Sequence, residues 1–134
     1  MTDRELLELA AKAAGFGGEH GTTWTESEYP KGSGKNGALW NYVGHGDTAK
    51  LWNPLEDDGD ALRLAVKLNI RIEPNFSDDS HFIFTGIDNP NHAPELVWES
   101  EYEWLAEEVS QEDPMGATRR AIVRAAVEIG KRRA

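Results

Sequence analysis

Residues 57–73 read DDGDALRLAVKLNIRIE, and the spacing of the apolar residues changes within this stretch. The first part has the i, i+3, i+4, i+7 spacing of one helix face, formed by Ala61, Leu64, Ala65 and Leu68. Three carboxylates precede that face, where they can accept hydrogen bonds from unpaired first-turn amides: Asp57, Asp58 and Asp60. After Asn69, Ile70 and Ile72 alternate with polar residues until Pro74 interrupts the pattern. A helix followed directly by a strand predicts an α+β fold.

Two further helices lie near the ends of the chain. Thr2 and Glu5 have capping-box spacing, and Gly15 suits a helix C-terminus. Asp113 and Pro114 are typical of the cap and first turn of the last helix. Both helices carry an apolar stripe, formed by Leu6, Leu9, Ala10 and Ala13 in the first and by Ile122, Ala125, Ala126 and Ile129 in the last.

The remaining strand-like runs lie between these helices. Thr22 to Tyr29 and Ala38 to Val43 predict a hairpin, because the glycines and the Asn36-Gly37 pair between them are turn signals. Three later runs have the spacing of an antiparallel meander: Ile70 to Glu73, His81 to Thr85, and Leu96 to Trp98. The predicted order is α-β-β-α-β-β-β-α, an antiparallel sheet of about four to five strands packed with three helices in a three-layer, sandwich-like arrangement. We expect a single domain over residues 1–134, with a hairpin insertion rich in glycine and aromatic residues at about 16–50.

Composition narrows the classes of partner. The 134 residues include 14 basic and 24 acidic side chains, for a net charge of −10, and no cysteine. Phosphate backbones and anionic membranes repel such a chain, so nucleic acid and membrane are unfavoured partners. Neither a signal-peptide pattern nor an apolar run of about 20 residues is present, and we expect a cytoplasmic location.

Three motifs suggest chemistry but lack the required spacing. Gly32 to Gly37 has neither the first glycine of a P-loop nor its final Ser or Thr. Gly44-His45-Gly46-Asp47 could ligate a metal, but nothing in the spacing brings another ligand to it. The aspartates at 57–60 lack the closing Glu of a calcium loop. We therefore expect no cofactor, no metal and no enzymatic activity.

The most informative pattern joins aromatic and acidic residues. Between Glu95 and Asp113 the chain has eight acidic residues and no Lys or Arg. Since Trp and Tyr are favoured anchors at protein interfaces, we predict a protein-binding face in this tract and the hairpin. Its predicted residues are Trp24, Trp40, Trp98, Glu101, Tyr102, Glu103, Trp104, Glu107 and Glu108. The alternative is that these aromatic residues pack in the core against the last helix.

Two other functions stay open. The first is small-molecule or nucleotide binding with weak hydrolytic activity, for which His45, Asp47 and His92 are the candidates. The second is nucleic-acid binding through the basic last helix, whose candidates are Arg119, Arg120, Arg124, Lys131, Arg132 and Arg133. The sequence indicates no oligomeric state.

Three segments carry a resemblance to a known group of proteins. They are residues 2–15, residues 52–65, which begin with Trp52-Asn53-Pro54, and residues 117–126. Together they resemble small uncharacterised proteins of phages and prophages, and more distantly the phage domain described as an "ABA sandwich". The resemblance implies helices around an antiparallel sheet, with Trp52-Asn53-Pro54 and the following aspartates positioning the second helix. It implies no activity. Residues 16–50 form a longer connection than the corresponding segment of those phage proteins. On this basis the expected partner is a host or phage protein, and the expected role is that of an accessory binder or inhibitor.

Overall fold

The computed structural model describes residues 1–17, 21–42, 49–76, 81–88, 102–109 and 113–132. Within these ranges the chain is α+β, with three helices and six strands. The elements in chain order are α1 (Asp3–Ala14), β1 (Thr23–Glu28), β2 (Asn36–Tyr42), β3 (Ala49–Trp52), α2 (Asp58–Lys67), β4 (Arg71–Phe76), β5 (His81–Asp88), β6 (Tyr102–Glu108) and α3 (Pro114–Arg132). The predicted strand at Leu96 to Trp98 lies outside the described residues.

The number and grouping of strands differ from the prediction. The strands form two antiparallel sheets of three strands each, β1-β2-β3 and β4-β5-β6, instead of one sheet of four to five strands. We call these the first sheet and the second sheet. Strand β3 was not predicted, since four residues are too few for a clear alternation. The predicted α+β class is confirmed, but the single sheet of a three-layer sandwich is not what the structure shows.

Pro74, which was predicted to interrupt a strand, and Gly37, which was predicted to lie in the hairpin turn, both lie inside strands. Pro74 is in β4 opposite Ile83. This is compatible with its missing amide, because β4 is an edge strand of the second sheet. Gly37 belongs to β2 rather than to the turn, and its positive φ of 126° brings it under the ring of Trp24.

The helix ends follow the local sequence. The Thr2 hydroxyl accepts the amide of Glu5 at 3.1 Å, and the Glu5 carboxylate accepts the amide of Thr2 at 3.1 Å, so the capping box is confirmed. Gly15 adopts a left-handed φ of 73° at the end of α1. Asp113 caps α3 by accepting the amide of Gly116 at 2.9 Å.

The core lies where the helices meet the inner faces of the sheets. Helices α1 and α3 pack closely through small residues, and a Cβ on Gly130 would lie only 2.5 Å from the carbonyl oxygen of Leu9. Leu39 and Trp52 extend this core from the first sheet, and Ile87 extends it from the second. Within the described ranges, no helix has both the length and the apolar character needed to cross a membrane.

Candidate functional site

The outer face of the second sheet carries aromatic side chains. Along β5, Ile83, Thr85 and Ile87 are buried, so the alternate residues point to the opposite side of the sheet. These include Phe82 and Phe84, whose half-buried rings lie 6.2 Å apart. On the neighbouring strand β6, the rings of Tyr102 and Trp104 are also 6.2 Å apart and edge-on. We call Phe82, Phe84, Tyr102 and Trp104 the aromatic face.

Trp104 is the most exposed member of the aromatic face. It lies opposite Gly86 on β5, and a Cβ on that glycine would lie 3.0 Å from the indole ring. The absence of a side chain at Gly86 therefore lets the indole lie flat across the neighbouring strand. The indole stays 42% exposed and borders a groove of about 560 Å³ with Glu73, Pro74, Asn75 and Phe84. The contact with β5 therefore holds the indole ring of Trp104 in place without the help of another molecule.

The charges around the aromatic face are mainly negative. The exposed carboxylates of Glu73, Asp88 and Glu108 lie on the same side of the sheet as the aromatic residues, one on each strand. The guanidinium of Arg71 lies 4.2 Å from the centre of the Tyr102 ring. The aromatic face therefore already contains one cation–π contact, in which the cation and the ring attract each other.

Two acidic residues of β6 lie on the other side of the sheet. Glu107 accepts a hydrogen bond from Arg124 of α3 at 2.9 Å, and Glu103 pairs with Arg132. The arginines are eight residues apart on a helix, or about 12 Å, and the glutamates four apart on a strand, or about 13 Å. This matched spacing is the signal in the sequence that could have revealed the pairing. The acidic residues of β6 are therefore divided between two faces of the second sheet.

The hairpin tryptophans lie in the first sheet rather than beside the aromatic face. Trp24 is opposite Leu39 and packs towards the core, and its indole nitrogen donates to Glu26 at 2.6 Å. Trp40 is opposite Thr23, so it lies on the other face of the hairpin. Two remaining predicted site residues, Trp98 and Glu101, lie outside the described residues.

A buried carboxylate joins the hairpin to α2. Asp60 is 5% exposed. It accepts hydrogen bonds from the Tyr29 hydroxyl at 2.7 Å, the backbone amide of Asn53 at 3.0 Å and the Arg63 guanidinium at 2.8 Å. Burial, together with the hydrogen bond to Asp60, raises the pKa of Tyr29 well above its usual value. The same carboxylate raises the pKa of Arg63 through their hydrogen bond. Asp57, by contrast, caps α2 as predicted, accepting the Asp60 amide at 2.8 Å.

Asn53 completes this connection. Its side-chain amide donates to the Gly37 carbonyl at 2.8 Å, and its side-chain oxygen accepts the Leu55 amide at 2.9 Å. The Trp52-Asn53-Pro54 element and Asp60 thus hold α2 against strand β2. The role of Asp60 was not predicted from the sequence, although its position four residues before Leu64 puts it on the buried stripe of the helix.

The predicted basic surface of α3 is largely engaged in ion pairs. Arg119 pairs with Asp58 at 2.7 Å, and Arg120 approaches Asp3 at 3.6 Å. Arg124 and Arg132 hold the glutamates of β6, and Lys131 pairs with Glu128 at 3.3 Å. Arg133 lies outside the described residues. The cations of α3 therefore serve mainly to attach the helix to the rest of the domain.

The candidates for metal or hydrolytic chemistry, His45, Asp47 and His92, also lie outside the described residues. In the part of the chain that the structure does describe, no three His, Asp or Glu side chains cluster closely enough to hold a metal ion. Comparison with protein-family models, curated proteins and solved structures finds no match to this chain.

Proposed function

We propose that this protein is a non-enzymatic binding protein that recognises a host or phage protein through the aromatic face of its second sheet. The observation that supports this most is Trp104, which is spread over Gly86 yet 42% exposed beside a groove. Large exposed aromatic side chains on a rigid sheet lose little entropy on binding, and they are typical energetic centres of protein interfaces. The phage or prophage origin rests on the sequence resemblance, and the cytoplasm is the compartment we propose.

The charges indicate the chemistry of the partner. The aromatic face is surrounded by Glu73, Asp88 and Glu108, and Arg71 lies over Tyr102. A partner surface with arginine or lysine beside apolar side chains would meet both the carboxylates and the ring faces. A basic groove that normally holds nucleic acid has this chemistry, so inhibition of a host nucleic-acid-binding factor is the role we favour.

The ion pairs of α3 favour a protein partner over nucleic acid. Binding to a phosphate backbone needs protein cations that are free to neutralise the phosphates and so release the counterions condensed on the nucleic acid. Arg119, Arg124 and Arg132 instead hydrogen-bond Asp58, Glu107 and Glu103 of the same chain. Binding to a phosphate backbone would have to break these contacts, in a chain whose net charge is −10.

Affinity capture from host cells, quantified by mass spectrometry, tests the proposal. Trp104→Ala removes the exposed centre of the aromatic face, and we expect at least a tenfold loss of the captured partner. Val66→Ala is the matched control, because Val66 is 73% exposed on α2, away from this sheet. Thermal unfolding of both variants verifies that they remain folded. Equal capture by wild type and Trp104→Ala would refute the proposed face.

Two neighbouring glutamates provide a second test within one strand. Glu108 is exposed on the outer side of β6, whereas Glu107 pairs with Arg124 on the inner side. Glu108→Gln should weaken capture and make it less sensitive to salt, because it removes a charge that faces the partner. Glu107→Gln removes the same charge and should leave capture unchanged, with a small loss of stability. If Glu107→Gln weakened capture more than Glu108→Gln, the binding surface would instead lie on the α3 side of the sheet.

A further inference from the structure

A second cavity lies between the first sheet, α2 and the end of α1. It has a volume of about 500 Å³, which is in the range of small-molecule sites. Strands β2 and β3 place Asn41 and Lys50 side by side, because these residues are direct partners in the antiparallel register. Phe16 and Trp52 form its aromatic wall, with their rings 5.1 Å apart and nearly perpendicular. This cavity is separate from the aromatic face of the second sheet.

The described residues that line the cavity carry more positive than negative charge, although the protein as a whole is acidic. Lys50, Arg63 and Lys67 line it, and Asp60 is its one carboxylate among the lining residues that the structure describes. Asp60 already accepts hydrogen bonds from Tyr29, Asn53 and Arg63, so it is not a free acceptor for a ligand. Neither lysine forms an ion pair with any described residue, in contrast to the cations of α3. Lys67 lies over the Phe16 ring at 4.8 Å.

A buried amide in the cavity has no hydrogen-bond partner among the residues that the structure describes. Asn41 is 7% exposed, and within the described ranges nothing hydrogen-bonds its side chain. Buried polar groups are nearly always hydrogen-bonded, so a buried amide without a partner among the described residues is well placed to bind a polar group of a ligand. Its NH₂ can donate to an anionic oxygen beside Lys50, and its oxygen can accept from a polar edge of a ring system.

We propose that this cavity binds a small organic anion with a planar aromatic part. The ring system would lie against Phe16 and the edge of Trp52, while its phosphate, sulfonate or carboxylate would contact Lys50, Lys67 and the Asn41 amide. The cations compensate the charge of the anion, and the aromatic wall buries the apolar part. The site does not depend on the protein-binding function of the second sheet.

Nitrogen–proton correlation spectra of the labelled protein test this site. The probes are AMP and naphthalene-2-sulfonate, with adenosine and 2-naphthol as their neutral counterparts. We expect both anions to shift the Asn41 side-chain amide and the Trp52 indole signals, with the neutral compounds at least about tenfold weaker. Failure of both anions to shift these signals would overturn the proposal, as would equal binding of the neutral compounds.

Paired variants locate the anion. Lys50→Gln with Lys67→Gln should weaken binding by about 20-fold or more, since each solvated charge-assisted contact contributes several-fold. Lys31→Gln with Lys35→Gln changes the net charge equally but lies in the hairpin turn, and it should change the affinity by less than about twofold. Equal losses in the two double variants would show that the effect is general electrostatics and would overturn the assigned site. Both pairs replace lysines on the protein surface, so the fold should be retained in each.

Discussion

Replacing Asp60 by asparagine should destabilise the protein by about 2 kcal/mol. The substitution keeps the shape of the side chain, but the amide oxygen is a neutral acceptor for Tyr29 and Asn53. Because charge-assisted hydrogen bonds are roughly twice as strong as neutral ones, these two contacts together lose about 1–2 kcal/mol. The new NH₂ would also face Arg63, whose side chain is 73% exposed, so this ion pair adds at most about 1 kcal/mol.

Urea unfolding at pH 7, followed by circular dichroism, measures this loss. We expect the midpoint of Asp60→Asn to fall by about 1 M at an unchanged slope. Arg63→Gln is the control and should cost less than about 1 kcal/mol, because its contact with Asp60 is largely solvated. Tyr29→Phe combined with Asp60→Asn should cost less than the sum of the single changes. A larger effect of Arg63→Gln than of Asp60→Asn would contradict this prediction, because the ion pair rather than the buried acceptor would then dominate.

Three further changes test other parts of the structure. Burial and the bond to Asp60 raise the pKa of Tyr29, so above about pH 10 the unfolded chain loses this proton while the folded chain keeps it. The free energy of unfolding should therefore fall by up to about 1 kcal/mol for each unit of rising pH, after allowing for the partial exposure of Tyr29. In Tyr29→Phe, the free energy measured by urea unfolding should depend less on pH between about pH 9 and 11. Asn41→Leu removes a buried amide that has no hydrogen-bond partner among the described residues, so it should raise the melting temperature by about 4 °C, and a lower value would show that the amide is satisfied in the free protein. Gly130→Ala would place a Cβ 2.5 Å from the Leu9 carbonyl, and calorimetry should show a loss of about 1–3 kcal/mol, whereas a gain would contradict the close packing of α1 and α3.

The helices were the most predictable part of the fold, because their signals are local. The capping box of Thr2 and Glu5, the cap at Asp57 and the left-handed Asn69 all operate within one turn of the chain. The hairpin of β1 and β2 was also predicted, since its strands are rich in β-branched and aromatic residues. These elements could be predicted because the spacing of apolar residues and the capping residues can be read from a single sequence.

The grouping of strands could not be predicted in the same way. Sheet membership depends on pairing between distant segments, and the short strand β3 joins β2 through only four register pairs. Alternation in β6 separates Trp104 from Glu103 and Glu107, but it does not say which side meets α3. Only the packing of Arg124 and Arg132 against that strand decides this. The part of the acidic tract in β6 therefore has one side that is ion-paired with α3 and an outer side that carries aromatic residues.

The affinity of Trp104→Ala for the captured partner is the most direct test of the proposed role of the aromatic face. Titration calorimetry with the purified partner should give a dissociation constant at least about tenfold weaker for Trp104→Ala than for wild type. Val66→Ala should bind within about twofold of wild type, because Val66 lies on the exposed surface of α2. Wild-type affinity in a folded Trp104→Ala variant would contradict the claim that the outer face of the second sheet is the binding surface.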